Sequence, residues 1–279
     1  MNDPRMTPSN GRVAHVSLKG EVEAERFVEG RRLMVQQPMA NITDAPRGRR
    51  VSQLLFGEMF RELESYDGFS FGQAERDGQV GYVLSGAMAS PEEPTHWVTA
   101  PATHLYPKAH LKVPPEVSIF FGSPVKVVAE RDAHLRIHTG HFIPRPHLQP
   151  IRARFADPVG VADLFLGSPY LWGGNSRWGI DCSGLVQMAL LACGIACPRD
   201  SDQQMALGRD LYHGEPLVRG DLVFWDGHVG FMANDRMLLH ANAYHMSVAY
   251  EPLKDAAARI DAAGGGAITA RRRFLKPDE

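Results

Sequence analysis

Three features are scarce or missing in this sequence, and each of them argues against one class of protein. Its 279 residues include only 3 cysteines, which cannot all be paired in disulfides. Residues 1–8 contain no apolar core of the kind that a secretory signal needs. The longest apolar run, residues 185–197, is interrupted by Gln187 and Gly194 and is too short to span a bilayer. Provided that the numbering starts at the native start codon, these features predict a reduced, cytoplasmic protein with no membrane partner.

Net charge is also small. The 30 Lys and Arg residues nearly balance the 32 Asp and Glu residues, so the formal net charge is −2. This balance gives little electrostatic basis for binding nucleic acid or an acidic membrane, and we expect neither partner. The 44% of hydrophobic residues is ordinary for a globular protein with a buried core, and the length suits two or three domains.

An internal repeat occupies the first half of the chain. Residues 54–64 resemble residues 119–129 in a register that aligns Gly57 with Gly122. Each unit consists of short alternating segments broken by Gly, Asp and Pro, a pattern typical of small antiparallel β-barrels. We therefore predict two such barrels in tandem.

Domain boundaries follow from this repeat and from a change of pattern near Ile151. One possible helix, at residues 22–28, lies before the repeat. The predicted segments are an N-terminal arm at residues 1–44, a first barrel at residues 45–92, a second barrel at residues 95–150 and a C-terminal domain at residues 151–279.

The C-terminal domain places helices before strands. Residues 156–166 and residues 183–193 have helical spacing. Three later apolar runs, at residues 222–225, 229–232 and 237–240, are typical of neighbouring β-strands. Helices followed by an antiparallel sheet indicate an α+β fold.

One cysteine stands where a helix is predicted to begin. Cys182 follows two glycine-rich turns and Asp181, and an apolar run begins at Leu185. Because Asp is a typical N-cap residue, Cys182 is expected in the first turn of the helix. There the helix dipole and the free amides favour the nucleophilic thiolate over the thiol. The alternative is an inert, buried thiol, which is common for free cysteines.

A cysteine nucleophile needs a base, and the base needs a group that orients it. Two of the 12 histidines stand out, since His228 begins an apolar strand and His240 ends the next one. Adjacent antiparallel strands bring these two positions together, so the pattern predicts a triad of Cys182, His228 and His240. Two alternatives stay open: the histidines are structural, or the three residues bind zinc. The lack of a Cys-x-x-Cys pair disfavours zinc.

Four short motifs carry a family resemblance. They read P-Y-L-W-G-G at residues 169–174, D-C-S-G-L at residues 181–185, R-G-D-L-V-F-W at residues 219–225 and G-H-V-G at residues 227–230. Together they resemble the motifs of the NlpC-type cell-wall cysteine peptidases. The resemblance implies a papain-like fold in which Cys182, His228 and His240 are catalytic. It also implies that the two predicted barrels are similar to the bacterial SH3-like modules of one subgroup.

That subgroup cleaves the bond between γ-D-glutamate and a diamino acid in free murein peptides. The resemblance therefore implies an endopeptidase of peptidoglycan recycling, acting on tri- or tetrapeptides with an unblocked N-terminal L-alanine. It would work through an acyl-enzyme, and we expect no cofactor and no metal. Two alternatives stay open: an amidase or acyltransferase that uses the same triad, and a noncatalytic wall-binding protein.

The resemblance also implies roles for residues around the nucleophile. Tyr170 is similar to the tyrosine that forms an oxyanion hole together with the Cys182 amide, where each donor is worth roughly 3–4 kcal/mol. Asp181 and Ser183 match positions that line the pocket, and Asp181 would bind the substrate's ammonium group. Structural interpretations stand beside these roles: a core aromatic for Tyr170 and a helix cap for Asp181.

Three further pocket residues follow from the resemblance alone. Ser201 matches a pocket serine of the same subgroup, and an N-cap role is equally open for it. Tyr82 or Glu58, from the first SH3-like unit, would close the pocket at the alanine end of the substrate.

Overall fold

The structure is a computed structural model that describes residues 3–212 and 214–274. It comprises two compact units, Met1–Ala153 and Arg154–Glu279. Each unit has hydrophobic clusters of its own.

The first unit opens with a region of β-strands. They are β1 (Val13–His15), β2 (Arg26–Val28), β3 (Arg31–Val35), β4 (Met39–Thr43), β5 (Arg50–Leu55), β6 (Met59–Tyr66), β7 (Phe69–Ala74), β8 (Val80–Leu84) and β9 (Met88–Ala89). Strands β3 to β9 form one antiparallel sheet in the order β5-β4-β8-β7-β6-β3-β9, whereas β1 pairs in parallel with β2. Apolar side chains of the sheet, among them Ile42, Leu54 and Phe60, form a buried core.

The start of the chain differs from the prediction. Residues 22–28 do not form a helix, because β2 pairs with β1 and Val28 packs on a buried cluster that contains Val13. A helix of about seven residues is marginal in isolation, so this pairing overrides the local helical pattern. Residues 31–43, which we assigned to the arm, form β3 and β4. The sheet therefore begins before the predicted boundary at residue 45.

The rest of the first unit is a second set of short strands. They are β10 (His96–Val98), β11 (Ala102–Leu105), β12 (Val117–Phe120), β13 (Pro124–Val125), β14 (Val127–Arg131), β15 (His134–Ile137), β16 (Phe142–Pro144) and β17 (Leu148–Pro150). They form three small sheets, in the orders β13-β10-β17, β11-β12 and β14-β15-β16. Their core contains Val98, Ile119 and Ile137, and Phe56 from the first set of strands is part of the same cluster.

The repeat is visible at the level of single turns. Gly57 and Gly122 both adopt the left-handed conformation, with φ of 81° and 92°. A Cβ atom on Gly57 would lie 1.8 Å from the carbonyl oxygen of Pro124, so both the turn and the close approach require glycine. Short 3-10 helices, Ser85–Ala87 and Arg145–His147, precede β9 and β17. The two sets of strands therefore share these local features, and the two glycines are the pair that the sequence repeat aligns.

The second unit combines helices with an antiparallel sheet. Its elements are α1 (Pro158–Asp163), β18 (Asn175–Ser176), β19 (Gly179–Ile180), α2 (Cys182–Ala192), α3 (Ser201–Gln204), β20 (Arg209–Asp210), β21 (Leu222–Trp225), β22 (His228–Met232), β23 (Met237–Asn242), β24 (Ser247–Pro252), α4 (Leu253–Ala262) and β25 (Ala270–Arg273). The main sheet has the order β20-β25-β21-β22-β23-β24. Helix α2 is almost wholly buried and packs on β22 and β23.

These elements confirm the α+β arrangement. The predicted helix at residues 183–193 is α2, which begins one residue earlier, and the helix at residues 156–166 is shortened to α1. The three predicted strands are β21, β22 and β23. Within residues 3–212 and 214–274, no helix has both the length and the apolar character that crossing a membrane requires.

Candidate active site

The start of helix α2 fixes the position of Cys182. Asp181 is the N-cap, and its Oδ1 accepts a hydrogen bond of 2.8 Å from the amide of Gly184. A Cβ atom on Gly184 would lie 2.5 Å from the carbonyl oxygen of Gly174, so only glycine lets the helix pack this closely on the preceding loop. Cys182 is therefore the first residue of the helix, and 5% of its surface is exposed.

Burial controls the protonation of this cysteine. Removal from water raises the pKa of the Cys182 thiol to about 12, and the Asp181 carboxylate contributes to the rise. The backbone amides of Val229 and Ser183 act in the other direction but do not prevail. The prediction that the helix start favours a thiolate is therefore wrong for the free protein, because desolvation exceeds the stabilisation by amides and dipole. A base is needed to remove the proton.

The β21–β22 hairpin supplies a histidine beside the sulfur. Trp225 pairs with His228 across a turn in which Gly227 has a φ of 68°, a conformation that favours glycine. The Cys182 Sγ lies 4.0 Å from the carbonyl oxygen of Gly227, and the amide of Val229 also reaches the sulfur. The sulfur therefore contacts the backbone on both sides of His228. Nδ1 is the ring nitrogen nearer to that backbone.

The next hairpin brings His240 to the other side of His228. The Nε2 atom of His228 and the Nδ1 atom of His240 are 2.8 Å apart, as the strand order predicts. Gly230 makes this possible, because a Cβ atom there would lie 2.9 Å from the Cβ atom of His240. The His240 side chain is fully buried.

Two charged residues that the sequence did not indicate lie on the side of His240 that faces away from His228. Glu251, on β24, has its Oε2 3.1 Å from the Nε2 atom of His240. Arg259, on α4, donates to both carboxylate oxygens of Glu251 at 3.0 and 2.7 Å. The register of β23 and β24 pairs Leu238 with Glu251, which places Glu251 on the face of His240, and the sequence alone does not show this register.

Both imidazoles are neutral at neutral pH. Burial lowers the pKa of His228 to about 4, and the nearby Arg259 adds to this decrease. Burial lowers the pKa of His240 to about 3, with a further contribution from His228. The hydrogen bonds from Arg259 hold the pKa of Glu251 below its ordinary value, so this carboxylate is ionised and can only accept hydrogen bonds.

Tyr170 lies in the loop that precedes β18. Its amide donates to the carbonyl oxygen of Met246 at 2.8 Å, and its side chain is half-buried. Burial, with contributions from Cys182 and Asp181, raises the pKa of the Tyr170 phenol above its ordinary value. The hydroxyl therefore stays protonated and available as a hydrogen-bond donor near the nucleophile.

Asp181 and Ser183 are tied to a buried arginine that sequence reasoning also missed. Arg199 donates to Oδ2 of Asp181 at 2.8 Å and to Oγ of Ser183 at 2.7 Å. The Asp181 carboxylate also accepts from the amides of Gly173 and Gly184 at 2.7 and 2.8 Å. These contacts favour a structural role for Asp181 over the predicted binding of an ammonium group. Arg199 lies in a loop without regular pattern, so no periodicity signals it.

The remaining predicted pocket residues lie in three different environments. Ser201 is the first residue of α3, whose N-cap is Asp200. Glu58 is buried, accepts both hydrogen bonds from Arg76 at 2.9 and 2.8 Å, and has a raised pKa because of its burial. Tyr82 packs against Phe71 at a ring distance of 5.0 Å. It lines a cavity of about 450 Å³ in the first unit.

One group of potential metal ligands lies in the described part of the chain. His240, His245 and Glu251 place their ligand atoms within 4.8 Å of one another. Cys182 and His228 are not members of this group, contrary to the zinc alternative. Because Arg259 donates to both oxygens of Glu251, the negative charge of this carboxylate is already paired with a positive one.

Two family models match parts of this chain. Residues 167–259 match the NlpC/P60 family, and residues 42–88 match the bacterial dipeptidyl-peptidase SH3 domain. The chain carries an NlpC/P60 domain. The predicted resemblance to NlpC-type cysteine peptidases with an SH3-like domain before the catalytic one is thereby confirmed, and so is the fold class.

Known proteins with similar sequences match this chain over part of their length. A gamma-D-glutamyl-L-lysine dipeptidyl-peptidase of Bacillus subtilis is 29% identical over 161 residues, which are 52% of this chain and 52% of that protein. A protein of the same name from Bacillus cereus is 34% identical over 105 residues, 35% of this chain and 31% of that protein. The chain thus spans about half or less of the length of these relatives.

A solved structure extends the likeness to most of the chain. The crystal structure of an NlpC/P60 family protein from Bacillus cereus superposes with a TM-score of 0.75, covering 88% of this chain and 100% of that one. At 19% sequence identity, this likeness is one of fold.

Proposed function

We propose that this chain is a cysteine endopeptidase that hydrolyses the γ-D-glutamyl–diamino acid bond of free murein peptides. Its substrates carry an unblocked N-terminal L-alanine, and its role is peptidoglycan recycling in the cytoplasm. The observation that carries the proposal is the contact of the Cys182 sulfur with the backbone on both sides of His228, whose ring is hydrogen-bonded to His240. A nucleophile, a base and an orienting group in series are what acyl transfer requires.

Acylation begins with a neutral thiol and a neutral imidazole. His228 takes the thiol proton on Nδ1 as the Cys182 sulfur attacks the carbonyl carbon of the γ-D-glutamyl residue. The C=O electron pair moves to oxygen and forms a tetrahedral oxyanion. When the C–N bond breaks, the diamino acid leaves as an amine that takes the proton from His228. The product bound to the enzyme is a thioester.

Deacylation uses water as the second nucleophile. His228 removes a proton from the water as its oxygen attacks the thioester carbonyl. The C–S bond then breaks, and the sulfur takes the proton back from His228. The γ-glutamyl carboxylic acid that forms releases its own proton to solvent and becomes the carboxylate. His240 keeps the His228 ring in place in both halves of the reaction, because its Nδ1 atom is 2.8 Å from Nε2 of His228.

The oxyanion is stabilised by fixed donors. Tyr170 and the amide of Cys182 supply them in this proposal, and the raised pKa of the phenol keeps the Tyr170 hydroxyl a donor throughout the reaction. Donors that are already in place before the charge develops lower the barrier without reorganisation.

The substrate is proposed from the relatives and from the residues around the site. The two Bacillus relatives are named gamma-D-glutamyl-L-lysine dipeptidyl-peptidases. A dipeptidyl-peptidase removes a dipeptide from a free amino end, which in a murein peptide is L-Ala-γ-D-Glu. Ser183, Ser201, and Tyr82 or Glu58 are the proposed pocket residues, and Asp181 positions Ser183 through the shared contact with Arg199.

Mass spectrometry of reaction products tests the proposal. The full chain is incubated with L-Ala-γ-D-Glu-diamino acid tripeptides that contain either diaminopimelate or lysine, with a free or an acetylated amino end. We expect release of the diamino acid from a free peptide and none from the acetylated one. Cys182→Ser is expected to abolish cleavage, whereas the matched control Cys193→Ala retains it.

Three results would contradict parts of this proposal. An intact free tripeptide, or cleavage that survives in Cys182→Ser, overturns the peptidase. Transfer of the γ-glutamyl group to an added amine in preference to water replaces it with the acyltransferase alternative. Sedimentation with insoluble murein without any cleavage favours the wall-binding alternative. Fractionation of cells that produce the chain tests the cytoplasmic location.

A further inference from the structure

The hydrogen bonds behind the two histidines determine which ring nitrogen carries a proton. The Glu251 carboxylate can only accept, so Nε2 of His240 must be the donor in the contact of 3.1 Å. A neutral imidazole has one N–H, and therefore Nδ1 of His240 carries a lone pair. That lone pair requires a proton on Nε2 of His228, which is 2.8 Å away. Nδ1 of His228 is then left with the lone pair.

This nitrogen is the one on the side of the nucleophile. The Cys182 sulfur contacts the backbone of Gly227 and Val229, on both sides of His228, and Nδ1 is the ring nitrogen nearer to that backbone. The opposite tautomer would turn an N–H toward the thiol and leave His228 unable to accept its proton. The chemistry of Cys182 therefore depends on a proton assignment that begins at Glu251.

We propose that Glu251 and Arg259 are positioning residues that hold His228 and His240 in the Nε2–H tautomers and leave Nδ1 of His228 free as the base for Cys182. This inference rests on the proposed peptidase function. Arg259 keeps Glu251 ionised and clamps both of its oxygens, at 3.0 and 2.7 Å. The Arg259 guanidinium in turn lies 4.6 Å from the centre of the Tyr244 ring, which limits its freedom.

The two charges act in opposite directions on the base. The charge of Glu251 raises the pKa of His228, and that of Arg259 lowers it. Among the described residues, two further titratable groups face this pair: the Cys182 sulfur contacts the backbone beside His228, and a ring nitrogen of His245 lies within 4.8 Å of one of His240. A residue that served packing alone would not produce opposite shifts when each charge is removed.

The first test reads the tautomers directly. The full chain is labelled with ¹⁵N-histidine, and the ring signals of His228 and His240 are assigned from His228→Gln and His240→Gln spectra. At pH 7 we expect both rings as neutral Nε2–H tautomers in the wild type. In Glu251→Gln both rings become mixtures, since an amide can either donate or accept. An Nδ1–H tautomer on His240, or unchanged populations in Glu251→Gln, overturns the inference.

The second test reads the reaction. Glu251→Gln is expected to lower kcat about 10- to 100-fold with KM within about twofold, a loss typical of groups that orient a first ligand or base. In the pH profile of kcat/KM, the acid limb is expected to move to lower pH in Glu251→Gln and to higher pH in Arg259→Met, because the first change removes a negative charge and the second a positive one. Arg259→Lys restores part of the activity, and the matched surface control Arg236→Met changes neither kcat nor the pH limb.

The two readouts separate the inference from the proposed function. If no murein peptide is cleaved but the tautomers change as expected, the peptidase proposal fails and the proton assignment stands. If Glu251→Gln does not fold, Arg259→Met keeps the carboxylate and tests the same network. Acid limbs that move in the same direction in both variants contradict the inference.

Discussion

The guanidinium of Arg199 lies 2.8 Å from the Asp181 carboxylate that caps the nucleophile helix. Both residues are almost completely buried, with 1% and 5% of their surfaces exposed. The pair joins the residue before Cys182 to a loop 18 positions later in the chain. It thereby fixes the start of α2 independently of the helix itself.

We predict that Arg199→Met destabilises the protein by about 3–5 kcal/mol, because it removes the positively charged partner of the buried Asp181 carboxylate. Arg199→Lys retains the charge but not the forked geometry, so its loss is expected to be smaller. Urea unfolding at pH 7 measures both variants. A loss below about 1 kcal/mol in Arg199→Met shows that the pair is not a determinant of the helix start.

Folding stability is expected to fall in mild acid because of the two imidazoles. The pKa of His228 is about 4 and that of His240 about 3, both depressed by burial. An unfolded histidine has a pKa of about 6.5, so below that pH the unfolded chain binds more protons than the native one. Stability that is present above pH 6.5 is therefore lost as the pH falls toward 4. For His228 alone the loss is on the order of 3 kcal/mol.

Thermal melts at pH 7 and pH 5 check this expectation in paired variants. His228→Asn with His240→Asn should show a smaller difference in Tm between the two pH values than the wild type. His110→Asn, at an exposed position, serves as the matched control and should behave as the wild type. An equal pH dependence in the double variant contradicts the burial of neutral imidazoles.

Gly230 is expected to be needed for activity although it bears no functional group. A Cβ atom at this position would lie 2.9 Å from the Cβ atom of His240, so Gly230→Ala must displace the imidazole from His228. We predict at least a tenfold loss of kcat, since a shift of about 1 Å near the reacting groups is costly. Gly86→Ala, where an added Cβ meets no atom within 4 Å, is the control. Equal activity of both variants argues against a fixed His240 position.

Tyr170→Phe removes the proposed side-chain donor to the oxyanion and keeps the ring. We expect kcat to fall about 100-fold or more with little change in KM, because the hydrogen bond forms in the transition state. Tyr66→Phe, at a tyrosine that is 64% exposed, should be silent. A rise in KM at constant kcat would place Tyr170 in ground-state binding instead. Steady-state kinetics on the free tripeptide distinguishes the two.

The pairing of His228 with His240 could be predicted because hairpin register is local. His228 begins β22 as predicted, whereas His240 lies inside β23, which continues to Asn242 instead of ending at His240. The two strands are still joined by one short turn, and that turn decides which residues become neighbours. Glu251 required the register of a further hairpin, and Arg199 required the path of an irregular loop. Neither is encoded in periodicity. The pKa of Cys182 was predicted in the wrong direction because sequence shows the helix start but not the burial around it.

The first strands of the chain illustrate the same limit. The pattern at residues 22–28 fits a helix locally, yet β2 pairs with β1. The local sequence of residues 31–43 gives no strong strand signal, and these residues form β3 and β4 because they pair with β6 and β8. Long-range pairing decides both segments, and a local pattern does not contain it.

The packing of Phe56 determines where the chain can be divided into stable fragments. Its side chain is 3% exposed and belongs to the hydrophobic cluster of the strands that follow, with Val98 and Ile137. A truncation at residues 93–94, between the two predicted barrels, would leave this aromatic ring in water on one fragment and a cavity in the other. The two barrels are therefore expected to unfold as one cooperative block, and a stable excised fragment has to end after β17.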